Sequence, residues 1–363
     1  MKGLGRMISG IILFFNFIFA VLFIVVAYSP YISPVRYPLL SCLGLLFPFF
    51  LLIIVCFFVF WLIFHYKFAL LSLIVLLICL PQIRTYIPFN FRSNDLPSGR
   101  VKVLSYNVMA FDNMKMVDGE NPILRYIAKS NADIICLQEY AVSADSSQLN
   151  QRYVDEVMKG YPYRDVSVVG NKNSNNRLAL FSRFTSLLVH RIPYKSNYNG
   201  SVYYELSVEG DTVSLINNHL ESNKLTLKDK EDYEKALASL KSGKMQMDKR
   251  SLVHKFADAS IIRAEQARII ADIIAKSKND MVVCGDFNDS PLSYSHQIIS
   301  RHLKDAFTHS GCGLGISYNQ HKFYFRIDNI LVSRKMKTYN CFVDHSIKDS
   351  DHYPILCYVS KKQ

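Results

Sequence analysis

Acidic residues are missing from the first quarter of this chain. No Asp or Glu precedes Asp95, and the only Lys and Arg there are Lys2, Arg6, Arg36, Lys67, Arg84 and Arg92. A solvated arm or a disordered tail of that length carries many more charges, so both are excluded. Those six cations account for half of the formal net charge of +12, which leaves 36 Lys and Arg against 30 Asp and Glu in the remainder. Such a surplus is too small for a protein that coats nucleic acid. Cysteines at CxxC or other metal spacing are also lacking, which excludes zinc-ribbon and thioredoxin-like chemistry. Three of the eight cysteines (Cys42, Cys56, Cys79) fall in apolar runs and Cys136, Cys284 and Cys357 in strand-like segments, where a thiol acts as a small hydrophobe. Free thiols are expected, with Cys312 and Cys341 as the pair that could bridge. No internal repeat is visible. With 50% hydrophobic and 20% charged residues over 363 positions, the chain has material for about two domains, or one large domain with an appendage.

What fills the acid-free segment is hydrophobic. Ile8 to Ala27 and Leu39 to Phe64 are uncharged runs of 20 and 26 residues, each long enough to cross the roughly 30 Å of bilayer hydrocarbon as a helix. A third run, near residues 67–83, is shorter. Phe68 to Leu80 gives 13 residues before Pro81, and extension to Ile83 brings it near the lower limit of about 17. A third crossing is expected, with a buried helix or a re-entrant segment as the alternative. The start of the chain has the basic flank of a signal peptide, but its apolar stretch is longer than the usual run of about 7–15 residues, and an uncleaved anchor is expected. Three crossings put Lys2, Arg6 and Lys67 on one side, the cytoplasmic one by the positive-inside rule, and the rest of the chain outside. Arg36, Arg84 and Arg92 weaken that bias, and two crossings would reverse it. The reading is therefore a multi-pass membrane protein over residues 1–89, with the lipid bilayer as a partner and the domain extracytoplasmic.

Residues 90–100 (NFRSNDLPSGR) are polar with Pro and Gly and mark a linker. From Val101 short apolar strands alternate with amphipathic helices: VKVLSYNV, a helix around Ile123 to Lys129, DIICLQE, and a helix around Leu149 to Met158. Strand-like pieces follow at Arg164 to Val169, Arg177 to Phe181, Ser201 to Val208 and Thr212 to Asn217, with a hairpin signal at Glu209-Gly210-Asp211. A Lys-rich helical stretch runs from about Thr226 to Lys278, then come MVVCGDF, a short helix after Pro291 and three strands. This order indicates an α/β domain over residues 101–360 whose sheets pack on one another beneath helices. The interleaved charges between Lys224 and Lys255 read as a solvated helical face broken at Gly243, with contact to anionic lipid headgroups as the alternative.

Five short segments share one pattern, an apolar strand bounded by a residue that binds metal or moves a proton. They place Asn107, Glu139, His219, Asp286 with Asn288, and Asp328 together with Asp351 and His352. Singly, each has a bland explanation as a cap, a turn residue or a hydrogen-bonded histidine. Strand ends in layered α/β folds converge on one rim, however, and four carboxylates gathered there repel one another unless a cation or protons compensate. Oxygen-rich ligation without cysteine points to a hard ion, Mg²⁺, Mn²⁺ or Ca²⁺, and such a site suits phosphoester hydrolysis.

The set SYN, LQE, NNHLES, GDFNDSPLS, RIDNIL and SDHYPI resembles the endonuclease/exonuclease/phosphatase superfamily, the deoxyribonuclease I-like fold, from about Val101 to Ser360. The resemblance implies a two-sheet α/β sandwich with outer helices and a site using Mg²⁺ (or Mn²⁺). By the same resemblance Glu139 is the principal metal ligand, with Asn107 and Asp351 beside it. His352 is the general base or a phosphate-contacting imidazole partnered by Asp328, Asp286 handles the water or the leaving group, and Asn288 and His219 donate to phosphate oxygens. Arg183, in ALFSR, is a phosphate contact or a structural ion pair. Two positions depart from the usual pattern, Arg177-Leu178 before the AxxSR strand and Asn329 after RID, and both bear on specificity.

The function expected is a membrane-tethered, metal-dependent phosphoesterase acting on phosphodiesters or phosphomonoesters, with nucleic acid as first substrate class and no obligate protein partner. The alternatives are a phospholipid or sphingomyelin-type phosphodiesterase, an inositol or sugar phosphatase, and a catalytically silent membrane interaction protein.

Overall fold

The computed structural model describes residues 2–145, 147–172, 174–224, 231, 249–320 and 323–361. Two of its helices, α1 (Lys2–Tyr28) and α2 (Phe47–Phe64), are long and apolar enough to cross a membrane. They run antiparallel, with Phe23 packed on Phe47 at 5.4 Å between ring centroids and Phe19 on Phe50 and Phe57. α3 (Ala69–Ile78) returns beside them, its Ser72 hydrogen-bonded to Asn16 at 3.1 Å. The chain then bends by 63° into α4 (Leu80–Tyr86). Pro81 explains the bend, because it has no N–H to continue the ladder of α3. The third apolar run is thus a broken helix pair. Outward-facing Phe14, Phe49, Leu52 and Ile63 stay 61–71% exposed, an apolar girdle that water does not tolerate as a surface.

The remaining chain forms two six-stranded sheets among the described residues. The first contains β1 (Val101–Asn107), β2 (Ile134–Gln138), β3 (Tyr163–Val168) and β4 (Arg177–Ser182). The second contains β5 (Thr185–Arg191), β6 (Gly200–Val208), β7 (Asp211–His219), β8 (Asp280–Asp286) and β9 (Leu303–Asp305). A small hairpin, β10 (Tyr318–Gln320) and β11 (Phe323–Phe325), stands apart, β12 (Asp328–Ser333) joins the second sheet, and β13 (Lys337–Val343) and β14 (Ile355–Ser360) join the first. Strand orders are β13-β14-β1-β2-β4-β3 and β5-β6-β7-β8-β12-β9. At the centre of each sheet one pair is parallel, β1 with β2 and β7 with β8. Both parallel pairs carry their C-terminal ends to one rim.

Inward side chains of the two sheets, among them Val103, Cys136, Leu180, Tyr204, Leu215, Val282 and Ile355, interlock as the central core. α5 (Pro122–Ser130) and α6 (Gln151–Val157) cover the outer face of the first sheet through Ile123, Ile127 and Val154. α7 (Lys249–Lys276) and α8 (Tyr294–Ile299) cover the second through Ala267, Ile270 and Ile298. This is the two-sheet sandwich with outer helices that the resemblance implied. The edge strand β5 was not anticipated, because its solvated residues show no apolar alternation. Three strands were expected after the short helix following Pro291; β9, β10 and β11, of three residues each, come in addition. Segments so short leave no periodicity to read. Of the Lys-rich stretch, the Gly243 break and the lipid-contact reading lie outside the described residues. All eight cysteines are free.

The N-terminal helices are docked on the domain. Gly44 lies so close to loop 288–293 that a Cβ there would sit 2.1 Å from the Leu292 carbonyl oxygen, and Leu292 is buried among those helices. Arg268 donates to Ser33 at 3.2 Å, and Arg326 donates to the Thr85 carbonyl. The linker is strapped down as well, Asn90 donating to the carbonyls of Thr308 and Gly311 at 3.1 and 2.8 Å.

Candidate active site

Asn107, Glu139, His219 and Asp286 end or directly follow the four parallel strands, so the fold delivers them to one rim. Asp328, which opens β12, pairs in register with Asp286 on β8. The Asn107 amide donates to Glu139 Oε1 at 3.1 Å and to Asp286 Oδ2 at 3.2 Å, joining the two sheets. His219 Nε2 lies 3.7 Å from Glu139 Oε1 and 3.6 Å from Asp286 Oδ2. From the other side His352 Nε2 approaches Asp286 Oδ2 at 3.6 Å, and its Nδ1 is hydrogen-bonded to Asp328 Oδ2 at 2.8 Å. Asp286, Asp328 and both imidazoles are buried, whereas the Glu139 side chain is 41% exposed at the mouth. Backbone strain collects here. Glu139 and Asn288 hold φ of +53° and +51°, and Met109–Met114, directly after Asn107 and Val108, all have positive φ. Left-handed conformations cost non-glycine residues energy and persist only where surrounding contacts enforce them. Here Asn121 donates to the carbonyls of Phe111 and Lys115, and the Ala110 N–H donates to the Glu139 carbonyl.

Electrostatics separates the two histidines. Burial lowers His219 below the usual histidine range, against the pull of Asp286. Burial acts on His352 in the same sense, but Asp328 and Asp286 outweigh it and hold that imidazole well above the usual range, with Asp351 adding to the rise. Burial pushes the Asp286 carboxyl up to about 6, partly offset by His352. The two imidazoles are thus shifted in opposite directions by their environments, His219 toward the neutral ring and His352 toward the cation. A group of Asp286, Asp328 and His352 has ligand atoms within 4.8 Å of one another. Asp328 Oδ1 is buried and has no hydrogen bond among the described residues. Glu139 Oε1 and Asp286 Oδ2 share the Asn107 amide, so a cation held at Glu139 would relieve the raised Asp286 carboxyl, and the acid-rich rim fits a hard divalent ion.

A family model described as "Endonuclease/Exonuclease/phosphatase family" matches residues 104–352. The chain belongs to the endonuclease/exonuclease/phosphatase family. Members of this family are phosphoesterase hydrolases. Residues 9–86 match a separate domain of unknown function (DUF8431). No curated protein matches the chain by sequence. Among solved structures, the human Nocturnin catalytic domain with bound sulfate is 15% identical, with a TM-score of 0.51, covering 74% of this chain and 97% of that one. Danio rerio TDP2 complexed with single strand DNA product is 14% identical with a TM-score of 0.51, covering 72% and 99%. An endonuclease/exonuclease/phosphatase from Beutenbergia cavernae is 15% identical, also at 0.51, covering 72% of each chain. These likenesses show the shared fold.

Within the family fold, seven of the expected residues meet at the rim or flank it directly: Asn107, Glu139, His219, Asp286, Asp328, Asp351 and His352. Asn288 is adjacent, its N–H donating to Asp286 Oδ1 at 2.7 Å while its side chain donates to the Leu220 carbonyl at 2.9 Å. Arg183 is not brought there. It follows β4 beside the start of β2, where it pairs with Asp133 at 3.1 Å and donates to Asn131. Asp133 is six residues before Glu139 along an extended strand, roughly 20 Å away. Of its two readings, the ion pair is the one the geometry supports.

Several supporting residues went unread in the sequence. The Asn176 amide donates to the Tyr198 carbonyl at 2.9 Å and faces His219 Nδ1 at 3.3 Å. That contact leaves Nδ1 as acceptor and turns an Nε2–H toward Glu139 and Asp286. Ser317 accepts from the Asp328 N–H at 3.0 Å, and Ser350 donates to the Asn107 carbonyl at 2.8 Å. Arg263, buried on α7, holds Asp289 at 3.1 Å. Asn176 sits in an Asn-rich stretch that reads as loop, and no local signal singles it out.

Proposed function

We propose that this chain is a membrane-tethered, divalent-metal-dependent phosphoesterase. The observation that carries the reading is the buried convergence of Asp286, Asp328 and two oppositely tuned imidazoles beside Glu139. Glu139, with Asn107 and Asp351, would hold Mg²⁺ or Mn²⁺, which when bound supplies positive charge to phosphate oxygens. Asp286, with a carboxyl near 6, is matched to taking a proton at neutral pH. As the water oxygen forms its bond to phosphorus, a water proton passes to Asp286. The ester P–O bond breaks, and the departing oxygen takes a proton from the His352 imidazolium, whose charge Asp328 stabilises. His219 Nε2–H and the free amide hydrogen of Asn288 donate to non-bridging oxygens.

Nucleic acid is the first substrate class, supported by the TDP2 fold relative that holds a single strand DNA product. A lipid phosphodiester is the second reading, favoured by the docking of the membrane helices against the loop that follows Asn288. The full chain in detergent is expected to hydrolyse a bis-aryl phosphodiester, and to lose that activity with EDTA and in Glu139→Gln or His352→Ala. Retained turnover in either variant would refute the site. Parallel assays on single-stranded DNA, duplex DNA, RNA, sphingomyelin and phosphatidylinositol phosphates separate the substrate classes.

We further infer that the domain is extracytoplasmic. Packing of α1, α2 and α3 puts the N-terminus and Lys67 at the end of the helices opposite the domain, which the positive-inside rule assigns to the cytoplasm. Protease added outside intact cells is expected to cleave the domain; cleavage only after permeabilisation overturns this orientation.

A further inference from the structure

At the end of the N-terminal helices farthest from the domain, α1 and the start of α3 leave an open groove of about 550 Å³. Gly10, Phe14 and Phe17 stand on its α1 side, and Lys67, Phe68 and Leu71 face them. None of the active-site residues lines it. A glycine inside a helix weakens it relative to alanine, and here no described part of the chain uses the space gained, since a Cβ at Gly10 would meet nothing within 4 Å. Phe14 and Phe17 stay 61% and 56% exposed beside that gap. The groove is therefore apolar, and its mouth is cationic. Lys67 is exposed, as is Arg6, which lies one turn before Gly10 on the same face of α1. Neither has a hydrogen bond, ion pair or ring partner among the described residues. No Asp or Glu precedes Asp95, so residues 1–94 hold no carboxylate that could pair with them.

Charge decides the occupant. A second copy of the chain inserted in the same sense would bring another acid-free, cationic end against this one, and like charges across an interface oppose docking. An amphiphile with an anionic head satisfies both parts of the groove. Its acyl chain covers the apolar walls, and its phosphate takes the two cations, whose long side chains reach out of the apolar zone. We infer that this groove holds an acyl chain of an anionic phospholipid, with Arg6 and Lys67 on its phosphate. The assignment rests on the membrane placement of the helices and is independent of the hydrolytic reading.

Trp61, the only tryptophan of the chain, reports on the groove, because its ring centroid lies 5.1 Å from that of Phe68. The full chain carrying Glu139→Gln, so that no lipid is consumed, is placed in phosphatidylcholine nanodiscs, where both faces are open and orientation does not enter. Its fluorescence is titrated with dibrominated phosphatidylglycerol or dibrominated phosphatidylcholine, whose bromines quench tryptophan on contact. Phosphatidylglycerol is expected to quench saturably at low mole fraction, with a preference over phosphatidylcholine of roughly tenfold or more from the two cations. Arg6→Gln with Lys67→Gln, both at exposed positions, removes that preference. Gly10→Leu, which keeps the charge and fills the groove, weakens it severalfold, whereas Arg36→Gln, a cation outside the groove, leaves it unchanged. Equal quenching by the two lipids, or indifference to the double substitution, overturns the site. An unchanged preference in Gly10→Leu, or an equal loss in Arg36→Gln, overturns the seat in the groove. A chain that stays soluble and monomeric without detergent overturns the membrane placement and the site with it. The catalytic reading stands or falls on hydrolysis measured separately.

Discussion

Asp286→Asn should stabilise the metal-free protein at alkaline pH while abolishing its activity. In the folded chain burial raises this carboxyl from 3.8 to about 6, so folding binds a proton that the unfolded chain releases. The sign follows from linkage: stability falls as pH rises from about 4 through about 6, and the penalty is complete above that window. At about 1.4 kcal/mol per pH unit of displacement, the ionised carboxylate costs the fold about 3 kcal/mol. Asparagine removes the charge and keeps an acceptor for the Asn288 N–H, but it turns an amide N–H toward the donating amide of Asn107, a loss of about 1 kcal/mol. The net gain of about 2 kcal/mol corresponds to a rise in Tm of roughly 4–8 °C for a domain of this size. Scanning calorimetry of both proteins in EDTA from pH 4 to pH 8 measures it. The variant is expected to melt higher at pH 8, and at or slightly below wild type at pH 4. A variant that melts lower at pH 8, or a gap that does not change with pH, would refute the assignment of charge strain to Asp286.

Asn176→Ala removes the amide that holds His219 Nδ1 as an acceptor, so the tautomer is no longer fixed from that side. A fall in kcat of about tenfold to a hundredfold with KM little changed is expected; an unaltered kcat would remove Asn176 from the positioning of His219. Gly44→Ala forces a methyl against the Leu292 carbonyl and pushes the N-terminal helices off loop 288–293, at a cost of roughly 1–3 kcal/mol. Faster limited proteolysis of that loop and reduced turnover together report it, and unchanged values in both would mean that the docking does not support the site.

The convergence of the candidate residues was legible in the sequence because they sit at strand ends, where apolar runs stop at a polar side chain. VVCGD and IICLQ point to Asp286 and to the boundary at Glu139 without any knowledge of pairing. Asn176 and Ser317 were not readable, because they act through single hydrogen bonds from loops that look like any other polar stretch. Arg183 shows the limit of a motif whose two readings only the fold separates. Its motif drew attention, but antiparallel pairing of β4 with β2 carries it to the far end of the sheet.

Composition, hydropathy and local pattern by themselves determined that residues 1–94 hold membrane-length helices and no acid, and that the balanced remainder is an α/β domain with polar, oxygen-rich residues at its strand ends. Those properties are written in residue type and local period, and need no partner to be read. Only the tertiary structure decided that His219 and His352 are shifted in opposite directions, because burial and the distance to Asp328 set those shifts. It alone decided that the linker is strapped to the domain, and that the N-terminal helices press on the loop next to the candidate site. Charge state and docking depend on which distant residues come within a few ångströms, and no local pattern in the chain encodes that.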